Sequence, residues 1–379
     1  MGSLREIRDS VSSLLRAQGA VMADLDILLP AAPFLDMAGE DLRRRVFLTE
    51  SETGESLCLR PEFTIPVCLK HIESGAHAPQ RYGYCGEVFR QMRHAGAEFL
   101  QAGIEDLGDP DIALADARII GDAMTLLHHL MPAARLDIVV GDQAVFAAVV
   151  EALGLPEGWQ RRLARAFGQP DRLKSLLDSL ARSSAEQRMD GGVAALLLGA
   201  SERDLVHQVE AAMQATGYSA HAGRSAEDIA RRLKQKADLA RVRLEPEQLH
   251  VLESFLALAV PLEEAPAALS RFADDARLAI HPAITHFKAR LAALGRNGQA
   301  RGDLVYRASF GRPLDYYTAL VFEISTSTED ARTVLAGGGR YDRLLPLLGS
   351  PRPVPAVGFS LWLDRIMPLV SDPVAGGMK

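Results

Sequence analysis

The chain has 379 residues, of which 48% are hydrophobic and 24% charged, with a formal net charge of −7. Those proportions are those of a soluble globular protein of two or three domains, and they exclude disordered, collagen-like and disulfide-scaffold classes. The negative charge disfavours a broad electrostatic grip on nucleic acid, while leaving local basic patches open.

Leu4, Ile7, Val11, Leu14 and Leu15 recur at helical spacing and predict an opening amphipathic helix. Two β-type runs follow, Arg45–Thr49 and Ser56–Leu59, joined as a hairpin by SETGE, and a helical segment runs from Pro61 to about Glu73. Between Gln80 and Leu107 the period becomes two, which predicts a pair of antiparallel strands around the loop Gln91–Glu98. Tyr82, Tyr84, Gly86, Val88 and Arg90 share one face of the first strand; Phe99, Gln101, Gly103 and Glu105 share one face of the second. A helix over 111–131, a strand over 135–140 and a helix over 142–153 come next. From 155 to 272 the chain is rich in Ala, Leu, Arg and Glu and reads as a mainly helical insertion. β-type runs return at Leu304–Phe310, Ala319–Ile324, Thr333–Leu335 and Val357–Ser360, before a last helix through Val370. The expectation is an α+β core in two parts, 1–154 and 273–379, interrupted by the insertion.

Cys58, Cys68 and Cys85 are odd in number and lack metal-type spacing, so buried free thiols in a reducing cytoplasm are expected. The start of the chain has no apolar signal region, Glu6 breaks a myristoylation pattern, and runs such as Val193–Leu198 are too short to span a bilayer. These features point to a cytoplasmic protein away from membranes. His128 and His129 diverge by about 100° on a helix and cannot chelate together. Arg43–Arg45 and the stretch from Arg231 to Arg243 could meet phosphate or an acidic partner, but mixed charge favours a solvated helix face. The glycine run Gly337–Gly339 has no following Lys-Ser/Thr pair, which excludes a Walker phosphate loop. No cofactor or metal motif is present.

Polar residues able to carry chemistry gather in the sheet segments. Glu62, Gln101 and Glu105 are acceptors for an ammonium; Arg90 and Arg312 offer a fork for a carboxylate; Tyr316 and Tyr317 add a hydroxyl and a flat wall. Gly103, between Gln101 and Glu105, lets a ligand approach the backbone. Three or four charge-assisted hydrogen bonds, at about 1.5–3 kcal/mol each, could hold a free amino acid. Structural ion pairs closing a sheet face would use the same residue types.

The segments LRPEFT, YCGEVFR, EFLQAGIE, RPLDYYTALVFE, AGGGRYDRL and AVGFSLWLDRI occur in the order found in histidyl-tRNA synthetase, which the sheet-bearing two thirds of the chain resembles. The resemblance implies a class II aminoacyl-tRNA synthetase-like antiparallel sheet flanked by helices, and a homodimer built near Pro30. It also implies roles: Glu62, Thr64 and Gln101 match positions that hold the histidine α-amino group, and Glu105 and Tyr317 match positions facing the imidazole. Arg312 matches the arginine that meets the carboxylate and activated phosphate, Arg90 the motif-two arginine, and Tyr316 belongs to the histidine-specific tyrosine pair.

The departures from that pattern fall on the nucleotide side. Met92 stands where the family has the glutamate that binds the adenine amino group, and Ala97 stands where it has an arginine. Gly358-Phe359-Ser360-Leu361-Trp362 replaces Gly-Phe-Ala-x-Gly, placing an indole where a hydrogen is expected, so Met92 and Trp362 mark a degenerate nucleotide site. The stretch after Val370 is far short of the roughly 100 residues of an anticodon-binding domain. With these departures the chain resembles the ATP phosphoribosyltransferase regulatory subunits of histidine biosynthesis. That family implies a non-catalytic chain in a hetero-octamer with a short catalytic subunit, L-histidine as feedback effector, and no tRNA. The surviving Arg90 and Arg312 keep open a stand-alone histidine-activating enzyme acting on another acceptor; a scaffold with an unused pocket is the weakest reading.

Overall fold

The computed structural model describes residues 4–37, 42–76, 78–92, 96–181, 202–215, 225–227, 229–231, 233–234, 242–296, 303–312, 314, 316–327 and 332–371. Pro313, Asp315, the Val193–Leu198 run, the middle of the Gln91–Glu98 loop and much of the Arg231–Arg243 stretch lie outside them.

The strands are β1 (Val21–Met22), β2 (Leu28–Pro30), β3 (Leu48–Glu50), β4 (Ser56–Leu59), β5 (Gln80–Phe89), β6 (Glu98–Leu107), β7 (Asp137–Asp142), β8 (Ala259–Pro261), β9 (Leu304–Arg307), β10 (Leu320–Ser327), β11 (Arg332–Arg340) and β12 (Ala356–Trp362). Nine form one sheet in the order β1-β5-β6-β12-β11-β10-β7-β9-β8, and the other three form a small sheet, β2-β4-β3. The large sheet is antiparallel except at β1·β5 and β7·β9. The small sheet contains the expected hairpin, with Glu50 opposite Ser56, and adds β2 to it.

Acidic side chains start three of the helices by accepting otherwise orphaned N–H groups. Asp111 accepts from Leu114 N at 3.0 Å ahead of the helix Ile112–Leu130. Asp142 accepts from Ala144 N at 2.8 Å and Val145 N at 3.2 Å ahead of Gln143–Ala152. Glu62 does the same for the helix Thr64–Glu73.

The helices Ile112–Leu130 and His281–Arg296 lie on one face of the large sheet, tied to it by buried charge. Arg290 Nε donates to Asp116 Oδ2 at 2.6 Å and its Nη1 to Asp142 Oδ2 at 2.9 Å. Arg340, at the end of β11, reaches the other oxygen of Asp116 at 2.7 Å. On the opposite face Phe63 stacks on Tyr84 at 4.4 Å, within a core that includes Ile65, Cys68, Tyr316, Tyr317 and Tyr341.

The chain divides into two compact units: residues 1–148, 167–169 and 255–379 in one, and 149–166 and 170–254 in the other. The regular elements described in the second unit are helices, including Glu157–Ala166, Pro170–Ala181, Glu202–Ala215 and much of Pro246–Leu256. Its limits differ from the 155–272 expected. Ala259–Pro261 is too short to announce itself by pattern, yet it pairs with β9, Val260 opposite Tyr306, and returns the chain to the large sheet before Phe272.

Candidate functional site

The candidate residues converge because of register. Across the sheet, Tyr84, Gly103, Ser360, Gly337 and Glu323 lie on one row, flanked by the rows Gly86-Gln101-Trp362 and Tyr82-Glu105-Gly358-Gly339. Alternation turns all of these residues to the same face. The glycines seat the large groups: a side chain on Gly358 would collide with the Glu105 carboxylate, and one on Gly337 with the Arg312 guanidinium. One on Gly103 would come within 2.6 Å of the Tyr84 hydroxyl. The glycine run is therefore a floor that lets charged side chains lie flat, not a phosphate loop.

Above this floor is a cavity of about 580 Å³. Glu62, Thr64, Arg90, Met92, Gln101, Glu105, Arg312, Tyr316, Tyr317 and Trp362 all line it, so the structure brings every residue singled out in the sequence to one place. Its volume is within the ordinary range for small-ligand pockets.

Glu105 is at the bottom, 1% exposed. Thr64 Oγ1 donates to its Oε1 at 2.7 Å, the Tyr341 hydroxyl donates to its Oε2, and the Tyr84 hydroxyl is 3.4 Å from Oε1. Burial pushes the Glu105 carboxyl up to about 8, against the opposing pull of the hydrogen bonds from Tyr341 and Thr64. Glu62 is raised in the same direction by burial, although the Thr64 and Ile65 N–H groups donate to its two oxygens at 2.7 and 2.8 Å. Its first duty is thus to start the helix, which leaves its remaining lone pairs for a ligand.

Gln101 is 2% exposed, and its Oε1 has no hydrogen-bond partner. An unpaired buried acceptor costs about 1–3 kcal/mol unless a donor arrives. Arg312 lines the same cavity: its Nη1 lies 3.6 Å from Glu323 Oε2 and the guanidinium bonds the Tyr317 hydroxyl, while its buried Nε has no partner. Arg90 donates from Nε to the Pro61 carbonyl at 2.7 Å and lies over Phe99, so part of the expected carboxylate fork is committed to the backbone.

Trp362 closes β12 opposite Gln101, with the Arg312 guanidinium 5.5 Å and the Arg365 guanidinium 4.8 Å from the indole centroid. The indole is accommodated as wall, with the cavity still present beside it. Met92 is at the rim, 39% exposed, with Arg45 Nη1 3.7 Å from its sulfur. Tyr84, Tyr341 and Ser360 were not assigned to the site from the sequence, and Arg45 was read only as part of the Arg43–Arg45 run. The first three sit among buried residues whose type suits a core equally well; register alone distinguishes them, with Tyr84 two residues and one strand from Glu105. Among the described residues no group of three or more His, Cys, Asp or Glu side chains could hold a metal ion, and no helix is long and apolar enough to cross a membrane.

The histidyl-tRNA synthetase family model matches residues 2–243 and 204–366. Solved structures sharing the fold include an ATP phosphoribosyltransferase regulatory subunit/histidyl-tRNA synthetase from Bacillus halodurans C, with a TM-score of 0.63 at 18% identity over 100% of this chain and 81% of that one. Another is the histidyl-tRNA synthetase from Nostoc sp. PCC 7120, with a TM-score of 0.63 at 13% identity over 98% of this chain and 73% of that one. Among curated proteins, the ATP phosphoribosyltransferase regulatory subunit of Rhizobium meliloti (strain 1021) is 59% identical over 92% of both chains. That of Rhizobium leguminosarum bv. trifolii (strain WSM2304) is 55% identical over 96% of this chain and 97% of its own. These relatives are named as regulatory subunits and not as stand-alone histidine-activating enzymes. A synthetase-like sheet and relatives of that identity and coverage lead to one conclusion: the chain belongs to the ATP phosphoribosyltransferase regulatory subunits, within the histidyl-tRNA synthetase family.

Proposed function

We propose that this subunit binds free L-histidine in the cavity above the sheet and passes feedback inhibition to a short-form ATP phosphoribosyltransferase catalytic subunit. The observation that carries the reading is a pair of residues lining one cavity of about 580 Å³, Gln101 with a buried acceptor, Oε1, and Arg312 with a buried donor, Nε, each without a partner. A ligand that presents an ammonium to the first and a carboxylate to the second satisfies both, and an amino acid does so. Glu62 and Thr64 complete the ammonium side, Glu105 and Tyr317 face the side chain, and Tyr316 forms the wall. The nucleotide side is degenerate: Trp362 and Met92 stand where adenine would be received, and Arg365 turns onto the indole and the Val334 carbonyl, 3.0 Å away. No cofactor and no catalytic residue enter this reading.

Inhibition follows from linkage. Histidine shifts the assembly only if it binds the less active state more tightly, and the catalytic partner then feels the same coupling free energy. The assembly is a cytoplasmic hetero-octamer without tRNA; the net charge of −7 offers no general field for a polyanion. Self-association uses the small sheet, where Leu28, Pro30, Leu57 and Leu59 share the face opposite buried Cys58 and Leu28 is 48% exposed. Leu28→Glu with Leu57→Glu is expected to turn a dimer into a monomer in sedimentation velocity.

The functional reading is tested on the assembled complex. With wild-type regulatory chain, histidine inhibits ATP phosphoribosyltransferase activity; with Glu105→Ala, assembly persists and the inhibitory concentration rises at least about tenfold, as loss of one charge-assisted hydrogen bond requires. Unchanged inhibition by Glu105→Ala assigns the effector to another site.

A further inference from the structure

One contact near the cavity has no counterpart among the residues singled out above. Gly168 has a left-handed backbone, φ +83°, and a Cβ there would lie 2.7 Å from Arg312 N and collide with the Gly311 carbonyl carbon. A Cβ on Gly311 would in turn lie 2.7 Å from Gly168 N and 2.7 Å from the Phe167 ring. The backbones of the 167–169 turn and of the loop bearing Arg312 therefore rest directly on each other, an approach only paired glycines permit. The turn is itself anchored: Phe167 stacks on Phe146 at 4.5 Å, and Phe146 on Phe255 at 6.3 Å. The loop is gripped one residue earlier as well, since a Cβ on Gly141 would collide with the Phe310 carbonyl oxygen. By its contacts the turn belongs to the sheet-bearing unit, whereas the helices it joins, Glu157–Ala166 and Pro170–Ala181, belong to the helical one.

We propose that Gly168 and Gly311 form a backbone clasp that positions Arg312, so that the 167–169 turn sets ligand affinity in the cavity. The clasp supplies no ligand contact of its own. It fixes where the Arg312 guanidinium lies on Gly337, between Glu323, Tyr317 and Trp362. A cationic group serves a bound carboxylate only if held within a fraction of an ångström, so a push on this turn is felt as affinity. The affinity half of this inference rests on the histidine reading; the positioning half does not.

The test pairs Gly168→Ala with Gly349→Ala. Gly349 also has a left-handed backbone, φ +100°, but nothing lies within 4 Å of its Cβ position, so it reports backbone strain without the clasp. In a Trp159→Phe background Trp362 is the sole tryptophan, and its emission reads the nearby guanidinium in the absence of ligand. Gly168→Ala is expected to shift Trp362 emission and to weaken histidine binding by about tenfold or more, the worth of one charge-assisted hydrogen bond. Gly349→Ala is expected to change neither. If Gly168→Ala fails to fold, Phe167→Leu, which loosens the anchor, must produce the same two changes in smaller degree. Emission and affinity in the clasp variants equal to those of Gly349→Ala would overturn the proposal. A wild-type chain that binds no histidine sinks the functional reading instead, and the emission comparison then still decides the clasp.

Discussion

The two faces of the large sheet both bury charge, and they do so to opposite ends. On the helix-covered face, Asp116 accepts from both Arg290 and Arg340, Asp142 accepts from Arg290 and starts a helix, and Arg340 also reaches Asp342 at 2.8 Å. No side-chain atom of Asp116, Asp142, Arg290 or Arg340 is left buried without a partner. On the other face, Gln101 Oε1 and Arg312 Nε are buried without partners in two residues that line a cavity, and the carboxyl of Glu105, which lines it too, is pushed upward by burial. Charge that satisfies itself holds elements together, whereas charge left incomplete beside a cavity is an instruction for a ligand.

The largest expected effect is on the closed face. Asp116→Asn removes the counter-charge that Arg290 and Arg340 share, leaving each with one carboxylate, Asp142 and Asp342, and should cost about 3 kcal/mol of stability, the low end for breaking a buried ion pair. Chemical denaturation reads this as a lower midpoint with an unchanged slope. A loss below about 1 kcal/mol would show that the network relaxes and that the contrast between the faces is overdrawn.

The open face should behave in reverse. Gln101→Met removes an acceptor that has no protein partner while roughly keeping volume, so thermal stability holds or rises. Histidine affinity falls by about tenfold to a hundredfold, the range of one hydrogen bond to a charged group. A variant that loses stability while keeping affinity would exchange the roles of the two faces.

The smallest effect concerns protons. Glu105 titrates near 8 in the folded chain, above its ordinary 4.5, so between those values the folded state holds a proton that the unfolded state has lost. Its contribution to stability is full below about pH 4.5 and disappears as pH rises through 8. Wild-type melting temperature should therefore fall more steeply from pH 5 to pH 8 than that of Glu105→Gln, which carries no titrating group at this position. Parallel slopes would place the proton elsewhere.

The sequence made some of this legible and hid the rest for identifiable reasons. β5 and β6 are legible as two ten-residue runs, and the alternation of side chains along a strand already puts Gln101 and Glu105 on one face. β1 and β8, of two and three residues, form because a neighbouring strand offers them an edge, and no local pattern could reveal that. The polar motifs pointed to one cavity, but not to the division of labour within it: Arg60, from the same motif as Glu62, spends its guanidinium on the carbonyls of Leu25, Asp26 and Glu87. Arg90 likewise binds Pro61. Tyr84 and Tyr341 resemble core residues until register brings them to Glu105. The clasp was invisible because its two glycines are far apart in the chain and carry no side chain to signal a role.

The central claim is that the cavity accepts histidine and refuses nucleotide, and titration calorimetry on the purified subunit tests it most directly. The account predicts a saturable histidine isotherm that Glu105→Ala weakens and no heat from ATP, with no histidine-dependent exchange of pyrophosphate into ATP. An ATP isotherm on the wild-type chain, or adenylate formation from ATP and histidine, would contradict it.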